Sequence, residues 1–136
     1  MYVPPHFRED RIPVLHAAIR RIRLATLVTA GPDGPVASHV PMILDPEPAP
    51  FGTLRGHLAR ANPQGGAAAP SNMMALAVFL GPEAYVTPAW YATKAQTGKV
   101  VPTWNYVAVH AAGTLRWFDD TDRLLTLVTA LTEAQE

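Results

Sequence analysis

The run Gly98-Lys99-Val100-Val101-Pro102-Thr103-Trp104-Asn105-Tyr106-Val107-Ala108-Val109-His110-Ala111-Ala112-Gly113-Thr114-Leu115 constrains this chain more than any other segment. It reads as one long strand. Successive side chains on a strand point to opposite sides, so Thr103, Asn105, Val107 and Val109 share one face, and Trp104, Tyr106, Ala108 and His110 share the other. Both faces mix polar and apolar groups. A sheet with core on one side and water on the other sorts these types more cleanly. The mixture therefore predicts an interface or a ligand groove on at least one side.

Partner strands are legible along the rest of the chain. Leu24-Ala25-Thr26-Leu27-Val28-Thr29 and Val36 to Leu44 flank the turn Gly31-Pro32-Asp33-Gly34-Pro35 and predict a hairpin. The proline-rich Asp45 to Pro50 cannot donate ladder bonds at its prolines and predicts a surface connection to a strand over Gly52–His57. Met74–Leu80 reads as a buried strand, Gly81-Pro82 as a turn, Ala84–Thr87 as another strand, and Pro88–Thr93 as a loop. Helical spacing appears at Ile12, Leu15, Ile19 and Ile22, with Asp10 as N-cap and Pro13 in the first turn. A final helix is expected after Asp119 and Asp120, with Leu124, Val128 and Leu131 as its apolar stripe. Gly65-Gly66-Ala67-Ala68-Ala69-Pro70 predicts a mobile loop after Asn62-Pro63. Five or six strands with two flanking helices and no βαβ rhythm make a single α+β, mainly β, barrel-like domain over residues 1–136.

Composition removes several function classes. The 136 residues carry no net charge, which argues against wholesale nucleic-acid binding; Arg20, Arg21 and Arg23 read as a solvated helix end. Without cysteine there is no disulfide, thiolate metal site or cysteine nucleophile. The five histidines are scattered without paired ligand spacing, so no metal is expected. No run reaches the ~20 apolar residues of a membrane span, and the expected setting is the cytoplasm.

Three groups carry chemistry. Arg55-Gly56-His57-Leu58-Ala59-Arg60-Ala61-Asn62 combines two guanidinium groups, a histidine and a glycine that admits close backbone approach, which are the requirements of a phosphate site. The same residues fit an ordinary surface corner. Ser38, His39 and Pro41, with Thr26 and Thr29 on the adjoining strand, offer hydroxyls and backbone edges to a flat ring. Half-exposed hairpins often look the same. Trp90, Tyr91, Thr93 and Lys99 lead into Pro102, Thr103, Trp104, Asn105 and Tyr106, where aromatic walls meet a cation and hydrogen-bonding groups. On residue type alone these could meet a ligand or a second copy of the chain.

These segments also carry a resemblance. Met1-Tyr2-Val3-Pro4, His6-Phe7, Gly52-Thr53-Leu54-Arg55-Gly56-His57, Ala59-Arg60-Ala61-Asn62-Pro63-Gln64, Gly81-Pro82-Glu83-Ala84-Tyr85-Val86, Trp90-Tyr91 and Lys99 to Tyr106 are similar, in order, to the PaiB-type FMN-binding negative transcriptional regulators. The resemblance runs from Met1 to about Glu136. Members continue beyond the final helix with a further strand, so a barrel edge is expected to be missing from this stretch. It implies an FMN-binding split β-barrel related to pyridoxamine 5'-phosphate oxidases, with two chains pairing and FMN at their interface. Under it, Arg55, Gly56, His57, Arg60 and Asn62 hold the phosphate, and Thr26, Ser38, His39 and Pro41 flank the ring edge. Lys99, Pro102, Thr103, Trp104, Asn105 and Tyr106 close the pocket, with Trp104 and Tyr106 as walls.

Three readings of function follow. The resemblance implies a homodimeric FMN-binding regulator, with DNA as a partner by resemblance only, because no basic recognition helix is visible. A flavin-dependent oxidoreductase or haem-handling protein would use the same barrel, although no residue stands out as acid, base or nucleophile. A cofactor-free dimeric module is the third.

Overall fold

The computed structural model describes residues 1–65 and 72–136. Five strands, β1 (Leu24–Gly31), β2 (Gly34–Asp45), β3 (Thr53–Gly56), β4 (Met73–Val86) and β5 (Thr103–Leu115), form one sheet in the order β3-β2-β1-β4-β5. Every neighbouring pair is antiparallel. Helices α1 (Ile12–Ile22), α2 (Ala92–Thr97) and α3 (Thr121–Glu133) complete an α+β, mainly β, architecture.

The sheet has one face turned to a core. Ala25 and Leu27 on β1, Val40 and Met42 on β2, Ala77 and Phe79 on β4 and Val109 on β5 are buried together with Ile19 of α1. Leu44 and Leu54 pack against the same cluster, which fixes the phase of β3. Alternation then assigns the opposite face. Leu24, Thr26, His39, Pro41, Arg55, Val78, Leu80, His110, Tyr106 and Trp104 have the outward phase. Leu24, Leu80, Trp104 and Tyr106 are each more than half exposed there.

α1 follows its predicted periodicity, but its cap differs. Arg11 is the N-cap residue and its side chain makes no capping bond, while the Asp10 carboxylate accepts from Arg8 at 2.8 Å. Asp10 is drawn away by a cation two residues off, a local pairing that competes with capping. At the other end Arg23 turns the chain with φ 61°, so that β1 starts at once.

The predicted turn at Gly81-Pro82 is instead a bulge inside one continuous strand. Leu80 pairs with Ala108 and Glu83 with Tyr106, so β4 carries one extra residue there. A bulge absorbs a proline and a glycine without ending the pairing. A Cβ on Gly81 would come to 3.3 Å from that of Val107, so glycine also permits close packing. Beyond the bulge, β4 and β5 run on as a two-stranded arm from Glu83–Val86 and Thr103–Tyr106. The strand predicted from Gly98 starts five residues later, at Thr103. Gly98 is the left-handed C-cap of α2, and Pro102 immediately precedes β5. Most of the segment read as a loop over Pro88–Thr93 is a 3₁₀ turn at Pro88–Trp90 and the start of α2.

Asp120 caps α3 by accepting from the Arg123 amide at 2.8 Å. The stripe that α3 buries is Leu127 and Leu131, whereas Leu124 and Val128 are over a third exposed. α3 lies against β2 and β3. Of the loop expected over residues 65–70, only Gly65 falls within the described residues.

Candidate functional site

The outward face of the sheet brings together residues that are far apart in sequence. Thr26 and His39 are cross-strand partners, and Thr26 Oγ1 lies 3.1 Å from His39 Nδ1. Ile43 pairs with Arg55, and Val78 pairs both with Thr26 and with His110. A row therefore crosses four strands as His39, Thr26, Val78 and His110. Given ~4.8 Å between strands, the two imidazoles stand ~14 Å apart, with a hydroxyl and an isopropyl group between them. The row has an imidazole at each end.

Arg55 sits at one edge of this face. Its Nη2 donates to Asp45 Oδ2 at 3.4 Å, a long bond, and its Nε is buried without a hydrogen-bond partner. Buried donors are nearly always paired, so this guanidinium has a donor to spare for an anion. Gly56 permits the close approach of β3 to β2: a Cβ there would lie 2.9 Å from Val40 Cγ1 and 3.0 Å from the Pro41 carbonyl. His57 and Arg60 are exposed, and Arg60 makes no ion pair among the described residues.

Two predicted site residues are bonded to each other. Ser38 pairs with Leu27 in the core phase, and Ser38 Oγ accepts from Asn62 Nδ2 at 2.9 Å. Asn62 Oδ1 in turn accepts from the Gln64 amide at 2.9 Å. Ser38 and Asn62 thus bind each other and tie the Arg55–Asn62 segment to the hairpin. The segment starts on the outward face at Arg55 and ends on the core side at Asn62.

Gln64, to which the sequence assigns no role, completes that anchor. It is 6% exposed, and its Nε2 donates to Leu27 O at 3.0 Å, Thr29 Oγ1 at 3.1 Å and Val36 O at 3.2 Å. Three acceptors around one nitrogen fix the amide's orientation. Thr29, expected near a ligand, is buried beneath it. The sequence signals were its place at the end of the Ala59–Gln64 motif and a polar side chain following Asn62-Pro63.

The third group stands at the other edge. Trp104 Nε1 donates to Glu83 Oε2 at 2.8 Å, and the Tyr85 and Trp104 rings lie 5.9 Å apart. Glu83, Tyr85, Trp104 and Tyr106 share one side of the arm, so the exposed indole is held in place. Lys99 and Thr103 line a shallow hollow of about 250 Å³ with Tyr91, Val100 and Val101. Pro102 and Asn105 are exposed beside it. Three strands separate Arg55 on β3 from Trp104 on β5.

All 136 residues match the family model described as "Putative FMN-binding domain". The chain belongs to this FMN-binding family. FMN is accordingly its cofactor, and the unpartnered Arg55 donor suits an anionic phosphate. A distant relative is the Bacillus subtilis "Protease synthase and sporulation protein PAI 2", 29% identical across the whole chain and 62% of its own length. An uncharacterized Aspergillus fumigatus protein is 39% identical over 88% of this chain and 58% of its own. An uncharacterized Saccharomyces cerevisiae protein is 31% identical over the whole chain and 90% of its own. The chain thus spans little more than half the length of its Aspergillus relative. No helix among the described residues is long and apolar enough to cross a membrane, and no cluster of metal-binding side chains occurs among them.

Proposed function

We propose that this chain is the FMN-binding part of a PaiB-like, homodimeric negative transcriptional regulator of the cytoplasm, built as a split barrel with flavin between the two subunits. One observation carries the reading. The cationic corner at Arg55 and the aromatic shelf at Trp104 share a sheet face but occupy its opposite edges, so a second copy is the natural way to bring one against the other. The apolar groups exposed on that face support the same step, because large exposed apolar patches mark association surfaces. Pairing would also protect the strand edges.

In this arrangement Arg55 and Arg60 hold the phosphate, and Thr26, His39 and Pro41 present their row to the ring. The partner copy brings Lys99, Pro102, Thr103, Trp104, Asn105 and Tyr106 over it. FMN supplies redox-active ring chemistry when bound, and the chain's own residues bind and orient it. The resemblance of its motifs to the PaiB-type regulators supports a regulatory role, with DNA as the further partner by that resemblance alone.

Mixing two variants tests the composite pocket. Arg55→Ala and Trp104→Leu chains should each bind FMN weakly. Their mixture should recover sites in the heterodimer, where one pocket receives an intact Arg55 from one chain and an intact Trp104 from the other. Flavin absorbance combined with sedimentation velocity reads this directly. A monomer, or a mixture that regains nothing, overturns the proposal.

A further inference from the structure

A cleft of about 550 Å³ opens between α3, the end of α1 and the β1–β2–β3 end of the sheet. Arg21 and Arg23 make its polar wall cationic, with His57, Thr132 and Gln135 beside them, and no carboxylate lines it. That is a marked local excess in a chain of zero net charge. Arg21 makes no side-chain hydrogen bond or ion pair among the described residues and is free to meet a ligand. Arg23 is already positioned. Its Nε donates to Arg20 O at 3.0 Å and its Nη1 to Gln135 Oε1 at 2.9 Å, which ties α1 to α3 across the cleft. Its backbone has φ 61°, a conformation that costs a residue with a side chain and tends to persist where the surroundings demand it.

The remaining walls are apolar. Leu24 and Pro41 contribute from the sheet, and Val128 and Leu131 from α3. An apolar cleft with a few convergent polar groups is the usual form of a small-molecule site. From this we infer that the cleft binds a small organic carboxylate with an apolar body, its anionic head on Arg21 and Arg23 and its hydrocarbon against Leu24, Val128 and Leu131. This site adjoins the flavin pocket proposed above and shares Pro41 and His57 with it at the border; the groups that meet the anionic head, Arg21 and Arg23, lie outside that pocket, so the inference does not depend on that reading.

The probe is 4-phenylbutyrate, titrated into ¹⁵N-labelled full chain and followed by amide chemical shifts, with 4-phenylbutanamide as its neutral counterpart. The acid should shift residues 21–24, His57 and 128–135, and the amide should bind at least about tenfold more weakly, since a charge-assisted bond is lost. Arg21→Gln removes an exposed side chain with no fold contacts and should weaken the acid at least about tenfold. Thr132→Asp places a carboxylate on the exposed helix wall and should abolish binding. Melting temperatures close to wild type establish that both variants fold. Repeating the titration in saturating FMN should leave acid affinity unchanged within a factor of about two, consistent with independent sites. The inference is overturned by equal binding of acid and amide, by shifts elsewhere, by no binding, or by displacement of the acid by FMN. A chain that fails to bind FMN yet takes the acid refutes only the flavin proposal.

Discussion

Replacing Gln64 by methionine should reveal how the phosphate corner is held. The two side chains are close in volume, so the change leaves little cavity and acts mainly by removing donors. The two N–H groups of the Gln64 amide are shared among Leu27 O, Thr29 Oγ1 and Val36 O at 3.0–3.2 Å, the first two contacts buried and the third part-buried. At ~1.5 kcal/mol for each of the two donors lost, the loss is ~3 kcal/mol. Gln64 Oε1 is itself buried without a partner, and removing it returns ~1 kcal/mol. The net cost is ~2 kcal/mol, a sizeable part of the ~5–15 kcal/mol that stabilises a domain. Urea unfolding of the FMN-free chain should show the midpoint falling by about 1 M at unchanged slope, given typical slopes of ~1–3 kcal/mol/M. A double-mutant cycle with Thr29→Val should give a non-additive term, since the two side chains touch. A loss under ~0.5 kcal/mol, or complete additivity, would refute the anchoring argument.

Arg55→Ala should weaken FMN at least about tenfold, the loss of a charge-assisted bond of ~1.5–3 kcal/mol, while the melting temperature changes little; unchanged affinity by fluorescence titration excludes Arg55 from the phosphate site. Gly56→Ala forces β3 away from Val40 and the Pro41 carbonyl and should cost ~1–3 kcal/mol by chemical denaturation, a value near zero showing that the strands can separate freely. Glu9 is held down to about 2, first by the side-chain hydrogen bond from Arg11, against an ordinary value of 4.5. Its stabilising contribution is present above pH 4.5 and disappears as pH falls through about 2, so a carboxyl carbon titration centred near 4.5 would show that the clamp does not form. Trp104→Ala should weaken self-association and FMN together, and a fully dimeric variant with normal FMN affinity would remove Trp104 from the shared pocket.

The sequence by itself determined the alternation of the strands and the periodicity of α1, because both are local consequences of backbone geometry. It therefore placed Trp104, Tyr106 and His110 on one face of β5 before any partner strand was known. It also marked the Arg55 segment and its family, since motifs are properties of consecutive residues. What it lacked was anything dependent on a distant contact. Gly81-Pro82 is locally a turn signal, and only the pairing of Leu80 with Ala108 and Glu83 with Tyr106 makes it a bulge. Gln64 is an ordinary loop residue until three acceptors from two strands surround it. Tertiary structure alone decided that Asn62 and Ser38 bond each other, and that the two edges of the candidate pocket have three strands between them. Sheet order and burial depend on which segments meet, and that choice is made by the packing of the whole chain rather than by any stretch of it.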